Sequence, residues 1–116
     1  MMRLSDLTAY AAEKYHITEE HKWEDFPGYS VLTTPSTGEW AALLIRREDP
    51  GSGTVIERCD IKCGRESLLK NPRPYLSQPF RMHGSKWLGV SLDSRTDPAV
   101  VLRLFDRAVK IGRAHV

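Results

Sequence analysis

The chain has 116 residues, 41% of them hydrophobic and 28% charged, with a formal net charge of +2. That is enough for one core and one domain, and the balance is that of a folded globular protein rather than a disordered or fibrous one. No apolar run approaches a membrane span and the opening residues carry no apolar signal-peptide core, so the expectation is a cytoplasmic protein with no membrane contact.

Ser5 and Asp6 precede Leu7, Tyr10, Ala11, Lys14 and Tyr15, which predicts an amphipathic first helix with Ser5 as its N-cap. Residues 16–25 are polar and read as irregular. Tyr29, Val31 and Thr33 alternate with Ser30, Leu32 and Thr34, the period of a strand. A turn follows at Pro35, Ser36, Thr37 and Gly38. Residues 39–47 are apolar on both faces in their middle, as a central strand would be, and 48–53 form a loop. The clearest strand is 54–63, with Val55, Cys59, Ile61 and Cys63 on one face and Arg58, Asp60 and Lys62 on the other. A short helix over 65–70 stops ahead of Pro72. Strands over 79–83 and 86–92, joined at Gly84-Ser85, would make a second hairpin. Asp97-Pro98 starts the last helix. Val101, Leu104, Phe105, Ala108 and Ile111 line its inner face, Arg103, Arg107 and Lys110 its outer face, and Gly112 would cap its end. The order implies a single α+β domain over 1–116, an antiparallel sheet with two β-hairpins flanked by N- and C-terminal helices. Trp40 and Trp87 each lead a strand after a polar turn and read as packing residues.

The charge is uneven. Residues 1–39 hold three Lys/Arg against seven Asp/Glu, and the remainder holds fourteen against eight. A basic two-thirds is compatible with an anionic partner. The two cysteines, Cys59 and Cys63, stand four apart in a strand. At ~3.3 Å per residue their Cα atoms would lie about 13 Å apart, beyond disulfide reach, so both read as reduced core thiols.

Four segments in register resemble the MmcQ/YjbR family: 23–27 (Trp-Glu-Asp-Phe-Pro), 38–45 (Gly-Glu-Trp-Ala-Ala-Leu-Leu-Ile), 59–63 (Cys-Asp-Ile-Lys-Cys), and the stretch from Met82 to Leu92. The resemblance covers nearly the whole chain. It implies a frataxin-like α+β fold with two hairpin wings and, by analogy of fold, DNA binding. The family's second hairpin usually reads Pro-Ala-Tyr-His-Met-Asn-Lys-Lys-His-Trp. Here Gln78, Phe80, Arg81, His83, Gly84, Ser85 and Lys86 replace the first Pro, the Tyr, the His, the Asn, the two Lys and the second His. Met82 and Trp87 are kept. The turn thus lacks the paired Lys residues and leaves Arg81 and Lys86 beside it.

Catalytic chemistry has little in its favour. His16, His21, His83 and His115 are scattered, there is no phosphate-binding Gly loop, and no base stands beside either thiol. No cofactor and no enzymatic activity are expected. A frataxin-type iron role would rest on Glu13, Glu19, Glu20, Glu24 and Asp25, which Lys14, His21 and Lys22 interrupt. For nucleic acid, the basic candidates are Arg46, Arg47, Arg58, Lys62, Arg81 and Lys86, with Asp60 diluting the pair in the third strand. The shortlist is Arg58, Lys62, Arg81 and Lys86, and the expected partner is DNA held weakly through its backbone. Iron handling, small-molecule sensing and protein interaction remain the alternatives.

Overall fold

The computed structural model describes residues 1–114, with side chains through Gly112. Its elements are α1 (Leu4–Tyr15), β1 (Tyr29–Thr33), β2 (Trp40–Glu48), β3 (Val55–Ile61), α2 (Glu66–Lys70), β4 (Leu76–Ser77), β5 (Leu88–Leu92) and α3 (Pro98–Ala114). The strands form one five-stranded sheet in the order β1-β2-β3-β5-β4, with every neighbouring pair antiparallel. The expected α+β class is the one observed.

The pleat sorts the sheet's side chains into two sets. Leu32, Ala42, Leu44, Cys59, Ile61, Leu88 and Val90 come into register on one face. They bury against Leu4, Leu7 and Ala11 of α1 and Val101, Leu104, Phe105, Ala108 and Val109 of α3. Each of these Val, Leu, Ile and Phe side chains stabilises the fold by about 1.5–3 kcal/mol. The helices are also tied to each other. The Asp106 carboxylate accepts hydrogen bonds from Tyr10 (2.9 Å), Tyr15 (2.5 Å) and Lys14 (3.3 Å). Burial alone would raise the pKa of Asp106, but these bonds outweigh it and hold the group below its ordinary value. No described helix is long and apolar enough to cross a membrane.

Three local expectations need correction, and one residue is more exposed than its place on the inner face suggests. The first helix begins at Leu4, and its cap is not Ser5, which is exposed. The Glu57 side chain of β3 accepts the Leu4 N–H at 3.0 Å and pairs with Arg3 at 2.9 Å, so the sheet itself supplies the acceptor. Gly112 does not cap α3, which continues to Ala114. A Cβ at Gly112 would lie 2.5 Å from Thr34 Oγ1, so this glycine lets the helix approach the loop after β1. Val55 shares the phase of Cys59 but is 49% exposed, because it pairs with Glu48 beside the open 49–54 loop. The second hairpin is built differently from the expectation. Residues 79–83 form no strand, and β5 pairs instead with the short β4 at Leu76↔Val90 and Ser77↔Gly89.

Candidate nucleic-acid interface

The helices cover one face of the sheet only. On the other, Val31, Leu43 and Ile45 are buried beneath Trp23, Tyr29, Trp40, Phe80 and Met82. These covering groups come largely from two irregular segments, 20–28 and 78–83. The first is stitched to the edge strand by Glu20 and Val31, which exchange backbone hydrogen bonds of 3.0 and 2.9 Å. It closes through a turn in which Tyr29 N–H donates to the Phe26 carbonyl at 3.0 Å. Arg46 N–H then donates to the Gly28 carbonyl at 2.8 Å, and a Cβ at Gly28 would stand only 2.2 Å from the Arg46 carbonyl oxygen. Only glycine fits so close a backbone approach.

The second segment hangs on one side chain. Asp60 is fully buried and accepts the backbone N–H groups of Phe80 (2.8 Å), Arg81 (2.8 Å) and Met82 (2.9 Å). The expectation that Asp60 is an outward acid diluting a basic face is therefore wrong. Its outward-pointing position in β3 lies under the loop, and its oxygens are occupied by that loop's backbone.

Between the second segment and the outer face of β1, β2 and β3 lies a groove of about 300 Å³ lined by Tyr29, Ile45, Arg47, Ile56, Arg58, Phe80 and Arg81. The Arg58 guanidinium sits 4.9 Å from the Phe80 ring centre. Arg81 sits 5.3 Å from the Tyr29 ring centre and donates from Nε to its hydroxyl at 2.7 Å. At these distances each guanidinium is attracted to the negative face of its ring. Among the described residues none of the three arginines has a carboxylate within ion-pair distance, although Arg47 attracts Asp49 in the adjacent loop, and no acidic side chain lines the groove. A run of aromatic rings extends from its wall. Trp40 meets Trp23 edge-on at 5.6 Å, Trp23 meets Tyr29 edge-on at 6.4 Å, and Phe26 stacks on Tyr29 at 5.9 Å with the planes 16° apart.

The four shortlisted basic residues do not converge. Arg58 and Arg81 stand at this groove, whereas Lys62 and Lys86 line a separate cleft of about 740 Å³ with Cys63, Arg65, Glu66 and Leu69. Unlike the groove, that cleft includes acidic side chains, Glu39 and Glu66. Lys62 lies 3.8 Å from Glu39, and Arg65 donates to the carbonyls of Trp87 (3.1 Å) and Gly84 (2.6 Å). Both cysteines are free and buried, and burial pushes the Cys63 thiol up to about 12 and Cys59 higher still. Arg47, passed over in the shortlist, belongs to the groove. Its neighbour Arg46 faces the helices, where it bonds Glu19 at 2.8 Å and approaches Glu57 at 3.9 Å. Burial would raise the pKa of Glu19, but its bonds to Ser30 and Arg46 prevail and lower it. Strict alternation along a strand was the available signal that only one of the two arginines could reach the outer face. As for the acidic residues of the N-terminal third, Glu20 pairs with Lys22 at 3.2 Å. Among the described residues no three His, Cys, Asp or Glu side chains gather as metal ligands.

No protein-family model matches the chain, and no curated protein matches it significantly. Solved structures do match it. A crystal structure of a Pseudomonas syringae protein from the Northeast Structural Genomics Consortium superposes with a TM-score of 0.82, at 23% identity, over 97% of this chain and 100% of that one. A solution NMR structure of the same consortium target has a TM-score of 0.76 at 22% identity, over 97% of this chain and 94% of that one. At these identities the likeness establishes a shared fold.

Proposed function

We propose that the outer sheet face binds nucleic acid weakly, through phosphate contacts and with little sequence preference. The observation that carries this reading is the groove in which Arg47, Arg58 and Arg81 meet without an acidic lining residue. A guanidinium presents paired donors to phosphate oxygens, and three unpaired ones on one face form an electrostatic footprint. A net charge of only +2 keeps long-range attraction small, which is why the affinity is weak. The resemblance of four sequence segments to the MmcQ/YjbR family implies DNA binding by analogy of fold, and agrees with this reading.

Fluorescence anisotropy with a short labelled oligonucleotide, titrated at several salt concentrations, tests it. Three neutralised phosphates give a slope of log affinity against log salt of about −2 to −3. Replacing Arg47 and Arg81 together by Ala flattens that slope by roughly 1.4–1.8, because two contacts are lost. Lys62→Ala with Lys86→Ala leaves it unchanged. Absence of binding at low salt, or a slope indifferent to the arginine pair, refutes the proposal. A second reading, a small anionic ligand in the cleft of Lys62 and Lys86, is favoured by that cleft's larger volume of about 740 Å³. It is the one to pursue if only the lysine pair changes binding.

A further inference from the structure

We infer that the nucleic acid held on this face is single-stranded, and that Phe26, backed by Tyr29, is a stacking platform for one of its unpaired bases. The inference rests on the nucleic-acid reading above and names the form of its ligand. Phe26 is 57% exposed even though one of its ring faces lies parallel to Tyr29, so the opposite ring face looks into solvent. The ring is also held in place. Its turn is closed by the Tyr29 N–H to Phe26 carbonyl bond of 3.0 Å, and the supporting Tyr29 is gripped by Trp23 on its edge and by Arg81 at its hydroxyl.

A lone exposed aromatic side chain calls for no explanation. This one ends a series of four rings, Trp40, Trp23, Tyr29 and Phe26, on the face that carries the three unpaired arginines. Flat rings beside backbone-neutralising cations are the two parts that single-strand binding sites combine. A duplex cannot use the ring, because its bases are already paired and stacked and exposing one costs a few kcal/mol. A single strand offers its base faces freely. Arg81, in contact with Tyr29, is the nearest of the three to the platform by direct contact and is placed to take the phosphate next to the stacked base.

The test is anisotropy at low salt with labelled probes of equal length: oligo-dT, a mixed-sequence duplex, an abasic sugar-phosphate strand and oligo-U. Stacking of one base makes oligo-dT bind about 5- to 150-fold tighter than the abasic strand, which carries the same phosphates. The duplex binds more weakly than oligo-dT. Phe26→Leu, which keeps the apolar bulk but removes the flat ring, brings oligo-dT down to the abasic level. Phe26→Tyr retains the preference, and circular dichroism of both variants verifies the fold. Equal affinity for oligo-dT and the abasic strand overturns the stacking platform while leaving phosphate binding standing. Tighter binding of the duplex overturns the single-strand assignment. Failure of every probe sinks the nucleic-acid reading itself. Binding of oligo-U with the same Phe26 dependence upholds the inference and extends it to RNA.

Discussion

Replacing Asp60 by Asn keeps the shape of the side chain and changes only its bonding. In the better of its two orientations, the amide oxygen replaces Oδ2 and keeps the N–H groups of Arg81 and Met82, while the amide NH2 confronts the N–H of Phe80. One hydrogen bond to a charged acceptor is lost, worth about 1.5–3 kcal/mol, and two others fall from charged to neutral strength at a cost of about 1 kcal/mol each. The sum is about 3.5–5 kcal/mol, reduced where the loop can swing out and offer its N–H groups to water. Urea unfolding of Asp60→Asn should therefore show a loss of at least about 2 kcal/mol with an unchanged slope. Because the same bonds place Phe80 and Arg81, oligonucleotide affinity should fall even in the fully folded variant. A stability change under about 1 kcal/mol would mean that the 78–83 segment is not held by this carboxylate, and the geometry of the groove would lose its foundation.

Other expectations follow from the helical side. Phe105 is fully buried, so Phe105→Ala should cost about 3–5 kcal/mol in the same assay. Cys59 and Cys63 should resist a thiol reagent in the native protein and react at the rate of unfolding, since both are buried and burial raises both thiol pKa values. Asp106 is held below its ordinary pKa in the folded state, so its contribution to stability is complete above about pH 4 and disappears as pH falls through its folded value. The stability difference between the wild type and Asp106→Asn, measured by urea unfolding from neutral to acid pH, should shrink in that acid window. Gly28→Ala forces apart the 23–29 turn and β2, and should weaken oligo-dT binding along with stability.

The helix–sheet half of the molecule was legible because its signals are local. Helical spacing in 101–108 matches the buried residues closely and Asp97 does accept the Ala99 N–H at 3.0 Å, whereas the alternation in 29–34 is not matched by burial, since Ser30, Val31 and Leu32 are all fully buried between the two covered faces of β1. What could not be read depends on long-range partners. Ser5 is a good local cap, but Glu57, more than fifty residues away, supplies the acceptor. Residues 79–83 alternate well enough for a strand, yet their N–H groups find a carboxylate rather than a neighbouring strand. Asp60 looks solvated until that loop is laid over it. The same loop decides the candidate interface: it brings Arg81 to Arg58 and leaves Lys86 on the other side of the 84–87 turn.

Arg46 and Arg47 are adjacent, identical and separated by the thickness of the sheet. One is enclosed by Glu19 and Glu57, and the other is unpaired beside Ile56 and Arg58. Sliding β2 by one residue, so that Arg47 takes the place of Arg46, would turn Arg46 to the outer face and leave one arginine on each side of the sheet. The identical pair is therefore indifferent to such a slip. What opposes it is shape, because Leu43 would enter the place of the smaller Ala42 beneath the helices. The arginine pair supplies a cation to each face in either alignment, and close packing chooses between the alignments.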